Sequence, residues 1–185
     1  MIGGGVNMVN TRKAKFSLDR LPEVKRTLKS NSVRSILLDD EGQLWMGIST
    51  YGFGVKNRET GKFTHHGQMS SFSSYSGIST VMSIMQSPST GHIWIGVYNG
   101  GAYEIDKSAP MGTGVKAHNS SNAPWMCNSC IYYIYEDSRH NLWFATRGGT
   151  SMRAADGIPV RFDSLSVGGV PVQDMVVMQL AEGHN

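Results

Sequence analysis

Short apolar runs separated by polar turns alternate along most of the chain. Val33-Arg34-Ser35-Ile36, Val81-Met82-Ser83-Ile84 and Ile131-Tyr132-Tyr133-Ile134 each precede a second apolar run built around tryptophan: Leu44-Trp45-Met46-Gly47, Ile93-Trp94-Ile95-Gly96 and Leu142-Trp143-Phe144-Ala145. Between them lie Asp39-Asp40-Glu41-Gly42, Ser87-Pro88-Ser89-Thr90-Gly91 and Glu136-Asp137-Ser138-Arg139-His140-Asn141. A β-rich run, a polar turn and another β-rich run predict a hairpin, here written three times. A glycine cluster closes each copy, Gly52-Phe53-Gly54, Asn99-Gly100-Gly101 and Arg147-Gly148-Gly149, where the backbone needs φ > 0 or a close approach. Val55–Arg58 or Ala102–Ile105 then predicts a third strand, and Lys62–His65, after the turn pair Thr60-Gly61, a fourth.

The tryptophans stand at 45, 94 and 143, a constant spacing of 49 residues. Such a period marks a repeat architecture. Four short antiparallel strands per repeat make the blade of a β-propeller, so the expected fold class is all-β, with four-stranded blades in an incomplete ring. The expected units are blades at 33–80, 81–130 (with an insertion loop at 108–130) and 131–174. The second half of a truncated blade precedes them at 1–32, and the start of another follows at 175–185. Gly3-Gly4-Gly5-Val6 repeats the Gly52–Val55 phrase, Met175 and Met178 align with Ile131 and Ile134, and His184-Asn185 aligns with His140-Asn141. Blades bury their faces only against neighbours, so an open arc should expose apolar surface at both ends and be prone to aggregate.

Composition agrees with this reading. Of 185 residues, 22 are glycine and only 17% are charged, which argues against a helical bundle; 39% are apolar, enough for a core. The net charge of +3 is spread thinly apart from Arg12–Lys29, so no nucleic-acid surface is expected in this segment. No run approaches the roughly 18 apolar residues of a membrane span, and Met1–Asn10 lacks the features of a secretory signal. Cys127 and Cys130 form a single Cys-x-x-Cys with only His118 near in sequence. That falls short of a four-ligand zinc site and leaves a loop pair, oxidised or free according to compartment.

No phosphate-binding loop, nucleophile elbow or metal-binding histidine pair is present, so no catalytic residue, metal or cofactor is expected. An enzyme would have to assemble Asp40, Glu104 and Glu136 across blades. The in-register Trp45, Trp94 and Trp143 are expected to be inter-blade core. Ligand chemistry is sought where the repeats disagree, between tryptophan and glycine cluster: Tyr51 and Tyr98 can stack on sugar rings, Asn99 can bond hydroxyls, and Arg147 can hold a carboxylate or sulfate. Ordinary turn variation is the alternative. Trp125, in the Gly-, Ser-, Asn- and Pro-rich segment Met111–Cys130, is a further ligand candidate if the loop is exposed, or a packing residue if the loop folds back. Ser70–Ser79, with Phe72 and Tyr75, is a second insertion, and His65 and His66 are expected on an outer strand as surface residues.

Other propellers fit less well. The tryptophans lack the following aspartate of WD40 repeats, the glycine pairs follow rather than precede the tryptophan as they would in kelch repeats, and the Asp40-x-Gly42-x-x-Trp45 resemblance to a sialidase Asp box lacks its leading serine. Ser30-Asn31-Ser32-Val33-Arg34-Ser35-Ile36 through Phe63, with likenesses at Val81–Ile105 and Ile131–Gly149, resembles the two-component regulator propeller repeat. Departures occur: the Glu-Asp pair is intact only at Glu136-Asp137, and the second copy has Gln86-Ser87-Pro88. The resemblance implies a periplasmic sensor segment of a hybrid two-component histidine kinase, as found in gut Bacteroidetes. Its partners would be an oligosaccharide or other small ligand and the neighbouring blades of the parent chain, with a homodimer as an open alternative. Membrane contact would come only through other parts of that parent. A scaffold for protein contacts and a carbohydrate-active lyase or hydrolase are the alternative readings.

Overall fold

The computed structural model describes residues 6–10, 15–19, 32–67, 73–110, 112–162 and 166–183. A hairpin pairs β1 (Val6–Asn10) with β2 (Lys15–Asp19). Three four-stranded antiparallel sheets follow in chain order. The first contains β3 (Val33–Leu38), β4 (Gln43–Ile48), β5 (Gly52–Asn57) and β6 (Phe63–His66). The second contains β7 (Val81–Gln86), β8 (Ile93–Val97), β9 (Gly101–Ile105) and β10 (Val115–His118). The third contains β11 (Ile131–Glu136), β12 (Leu142–Thr146), β13 (Gly149–Arg153) and β14 (Pro159–Arg161). A short hairpin of β15 (Ser166–Val167) and β16 (Val170–Pro171) comes last. Two one-turn 3-10 helices lie at Ser73–Tyr75 and Val172–Asp174.

Within each large sheet, spatial order equals chain order, the meander of a propeller blade. Trp45, Trp94 and Trp143 occupy β4, β8 and β12, the second strand of successive sheets. The first strands β3, β7 and β11 pack side by side and form the inner rim. Each carries a β-bulge at one repeat position, between Val33 and Ser35, Val81 and Ser83, and Ile131 and Tyr133. The bulge leaves Arg34, Met82 and Tyr132 outside the ladder, which re-aims their side chains.

The repeated motif residues have separate physical jobs. The glycine two places after tryptophan lets the next blade approach: a Cβ on Gly96 would stand 2.8 Å from Ile131 Cγ2, and one on Gly47 would stand 2.6 Å from Val81 Cγ1. The aspartate of the polar turn fixes both the turn and the tryptophan. Asp39 accepts from the backbone N–H groups of Glu41 and Gln43 and, at 2.9 Å, from the Trp45 indole. Asp137 does the same for Arg139, Asn141 and Trp143. Where the second repeat has Ser87, Trp94 is instead sandwiched by the stacked His118 ring and the Arg153 guanidinium, 5.2 Å from its centroid.

Two apolar clusters fill the gaps between blades. The first joins Trp45, Phe53 and Tyr75 to Val81, Ile93 and Ile105; the second joins Trp94 and Met126 to Ile131, Leu142 and Phe144. Ile84 and Ile134 are buried against the preceding blade, whereas their counterpart Ile36 is 56% exposed. Val176 and Met178, at the other end of the arc, are exposed as well.

Four expectations change. Residues 108–130 are more than a loop, because β10 forms there and completes the second sheet. The register after 174 shifts by two residues. The N–H groups of Gly52, Gly101 and Gly149 donate to the carbonyls of Ser79, Ser129 and Met175, so Val177, rather than Met175, corresponds to Ile131. Glu182 then takes the place of Glu136: Glu136 accepts from Ser89 N–H and Glu182 from Ser138 N–H. His184-Asn185, Phe72 and Gly3–Gly5 lie outside the described residues. Trp143 is only half-buried: it stacks on Phe162 at 5.3 Å and borders a cavity of about 480 Å³ with Tyr135, Met152 and Leu180.

His66 departs most from its expected surface role. It is buried between the Phe53 and Tyr75 rings, at 5.1 Å from each. Burial, helped by the neighbouring His65, lowers its pKa from 6.5 to about 4. The fold therefore favours neutral imidazole, a contribution that is complete above pH 6.5 and lost as pH falls through about 4. The thermal midpoint should drop across that window and His66→Phe should flatten the drop; an unchanged slope in the variant would assign the acid sensitivity to another group.

Candidate functional site

Chain direction sorts the connections to two ends of the arc. The β3–β4 and β5–β6 turns and their counterparts share one end, while the β4–β5 turns and the links between sheets share the other. The first end is rich in carboxylates: Asp39, Asp40, Glu41, Glu59, Asp106, Asp137 and Asp156. Lys107 bridges Asp39, Asp40 and Glu41 there, tying the second blade to the first. The second end differs in kind. Segments 49–51, 73–80, 98–100, 119–130 and 147–148 are made of serine, threonine, asparagine, glycine, aromatic and apolar residues, with Arg147 as their one charge. Among the described residues of the connections at this end the acid is Asp174, after β14.

Tyr51, Tyr98, Asn99 and Arg147 all fall in β4–β5-type turns at this second end. Tyr98 is 37% exposed and meets Tyr132 edge to face, with ring centroids 6.1 Å apart. Asn99 is exposed and holds the turn at φ +58°, a left-handed conformation that asparagine tolerates. Its side chain is thereby presented outward by a backbone requirement. Arg147 is exposed in a two-residue turn, with its N–H donating to Cys130 O at 3.1 Å and Gly148 N–H donating to Thr146 Oγ1 at 3.1 Å. Tyr51 is half-buried, and its carbonyl bonds the His65 ring.

Trp125 does not join them as an exposed platform. Its ring packs 5.4 Å from Phe144 of the third blade and 6.4 Å from His118 of the second, so the loop folds back into the gap between blades. The neighbouring cysteines are free thiols: Cys127 donates to Thr150 O and Cys130 is buried. Among the described residues no group of three or more His, Cys, Asp or Glu is placed to hold a metal ion. Tyr132, by contrast, joins the candidate set without having been nominated. Its repeat position reads as an ordinary strand residue, but the changing identity Arg34, Met82, Tyr132 at one place marks side chains freed by the bulge. Burial raises the Tyr132 pKa, with Cys130 and Tyr98 adding to it against the opposing Arg147 charge, so the phenol stays a hydrogen-bond donor.

The three carboxylates an enzyme would need are each held by separate partners. Asp40 pairs with Lys107 and accepts no share of the others' bonds. Glu136 is held by the Ser87 hydroxyl, Ser89 N–H and His140. Glu104 is buried among His118 at 3.4 Å, His92 at 2.8 Å and Arg153 at 3.9 Å. His118 and then His92, working against burial, lower its pKa to about 2, and the 2.8 Å contact is the tighter of the two. This contribution is present above the usual carboxylate range and lost as pH falls through about 2. Glu104→Gln should cost about 1.5–3 kcal/mol in urea unfolding, the range for hydrogen bonds to charged groups; no loss would mean the knot is solvent-relaxed.

Two cavities lie toward the acidic end and both are slots between blades. One of about 170 Å³ is lined by Trp45, Tyr75, Ile105 and Lys107. The other is the 480 Å³ space over Trp143, which in the first slot is occupied by the β9–β10 segment.

A family model described as two component regulator propeller matches residues 27–50 and 126–148, the stretches that hold the first and third acidic turns and tryptophans. Over these two stretches the chain resembles the two-component regulator propeller repeat. It is similar in fold to the extracellular domain of a putative hybrid two component system from B. thetaiotaomicron, at TM-score 0.67 and 22% identity, covering 85% of this chain and 20% of that one. The extracellular domain of a putative one component system from the same organism matches at TM-score 0.60 and 22% identity, over 80% of this chain and 19% of that one. Virginiamycin B lyase from Staphylococcus aureus matches at TM-score 0.58 and 17% identity, over 84% of this chain and 47% of that one. The chain thus spans 20% of the length of the first of these structures. No curated protein matches it, and among the described residues no helix is long and apolar enough to cross a membrane.

Proposed function

We propose that this chain is a ligand-sensing segment of an extracytoplasmic propeller in a two-component signalling protein, and that its ligand is an oligosaccharide. The carrying observation is the contrast between the two ends. At one end Tyr98, Asn99 and Arg147 on turns and Tyr132 at the inner-strand bulge stand among few carboxylates and many hydroxyl and amide groups; at the other end Lys107–Asp40 and Ser89–Glu136 tie blade to blade. Aromatic faces with amide and hydroxyl neighbours suit a sugar, whose CH-rich ring face stacks while its hydroxyls exchange hydrogen bonds.

The sensor family and the extracellular setting of the similar domains support the signalling part of this reading. A histidine kinase beyond the propeller, a periplasmic location and contact with further blades of a parent chain belong to the same proposal. Titration calorimetry of the 185-residue chain against neutral and acidic oligosaccharides should give saturable heat for one glycan class. Flat titrations across the classes would favour a scaffold for protein contacts, and chain cleavage in the same mixtures would favour a lyase or hydrolase.

A further inference from the structure

The turn at Arg147 is built differently from its two counterparts. Residues 49–51 and 98–100 are three-residue turns, with Thr50 and Asn99 at positive φ, whereas Arg147-Gly148 is a two-residue turn between Thr146 and Gly149. Its backbone is pinned on three sides: Arg147 N–H to Cys130 O, Gly148 N–H to Thr146 Oγ1, and the Thr146 hydroxyl to Gly149 O at 2.8 Å. The arginine Cα therefore has a fixed place while its side chain reaches solvent. Little backbone freedom remains to be lost when the guanidinium engages a ligand.

The electrostatic setting is equally specific. Lys107, on the turn after β9 at the other end, meets three carboxylates. Arg147 forms no ion pair among the described residues, and the segments 73–80, 98–100 and 119–130 that share its end contribute no Asp or Glu. Its electrostatic neighbour is the Tyr132 phenol, which sits at the inner-strand bulge and meets Tyr98 edge to face. A fixed cation, a phenol donor and an exposed aromatic ring share this end, and Asp174 of the neighbouring 172–174 turn forms no ion pair with Arg147 among the described residues.

From this arrangement we infer that the ligand is an anionic saccharide, whose carboxylate or sulfate is held by Arg147 and the Tyr132 hydroxyl while a ring stacks on Tyr98. The inference rests on the oligosaccharide reading above and narrows it. A planar guanidinium pairs with two oxygens of either group, so both sources share one chemistry.

The test compares three tetrasaccharides on the wild-type chain and on Arg147→Gln: galactotetraose, tetragalacturonate and a sulfated galactan tetrasaccharide. At least one anionic probe should bind about 10-fold or more tightly than the neutral one, a difference of about 1.4 kcal/mol. That preference should weaken with added salt and disappear in Arg147→Gln. Which anionic probe binds separates carboxylate from sulfate recognition. Equal affinity for neutral and anionic probes, or an anionic preference that survives Arg147→Gln, would overturn the inference and leave the oligosaccharide reading standing. No binding of any probe by a chain whose near-UV spectrum shows packed tryptophans would count against both.

Discussion

Replacing Trp94 with alanine should remove about 3–5 kcal/mol of stability, the usual loss for a buried tryptophan. Trp94 is 1% exposed and touches three groups that a smaller residue abandons: Phe144 of the next blade, the stacked His118 ring, and the Arg153 guanidinium. Losing the cation–π contact adds about 0.5–1 kcal/mol. Arg153 would also keep only Glu104, 3.9 Å away, as an anchor across the blade gap. Trp143→Ala should cost less than half as much, because Trp143 is half-buried and already faces open space over Met152 and Leu180. Urea unfolding of the two variants measures the difference, and equal losses would show that cover from the following blade does not set the value of these tryptophans.

Gly101→Ala should be as damaging for a different reason. Gly101 has φ +81°, and a Cβ there would stand 2.2 Å from the His118 carbonyl oxygen and 2.9 Å from Asn119 Cβ. The backbone conformation alone costs about 1–3 kcal/mol for a side-chain-bearing residue. The clash adds overpacking of about 1–3 kcal/mol, because the atom struck first is backbone and cannot swing aside. Gly101 N–H also donates to Ser129 O, the bond that leads the chain into the third blade, so strain here loosens the blade junction. Gly91→Ala is the control: its φ is +73° but no atom lies within 4 Å, so it should show the conformational cost alone. If the two variants lose equal stability, the close approach at Gly101 contributes nothing.

The blades were legible because each repeat carries the same physical solution. Tryptophan on the second strand and a small residue two places later recur at one period, and a turn aspartate lies beneath the indole in the first and third copies. Asp39 and Asp137 show why the turn is acidic, since each accepts backbone and indole N–H groups together. β10 was hidden because Val115–His118 lies among glycine, serine, asparagine and proline, and its pairing with β9 supplies order that local composition does not advertise. The register after 174 was misplaced because apolar matching favoured Met175, whereas a backbone bond from Gly149 and the Glu182 contact to Ser138 set it.

The candidate site was legible in part for a related reason. Variable turns flagged Tyr51, Tyr98, Asn99 and Arg147, and chain direction places those turns at one end. Tyr132 escaped notice because its exposure depends on a bulge, which a register describes and a hydrophobic pattern does not. His66 looked like a surface histidine on alternation alone; the Phe53 and Tyr75 rings that enclose it come from another strand and from the 73–75 turn.

Hydrogen exchange of the chain with and without a saturating oligosaccharide tests the central claim most directly. Protection should appear at 49–51, 98–100, 130–132 and 147–148, the turns and inner-strand mouth of the carboxylate-poor end. Saturable binding with protection confined to 39–42, 106–114 and 137–141, the acidic end, would contradict it.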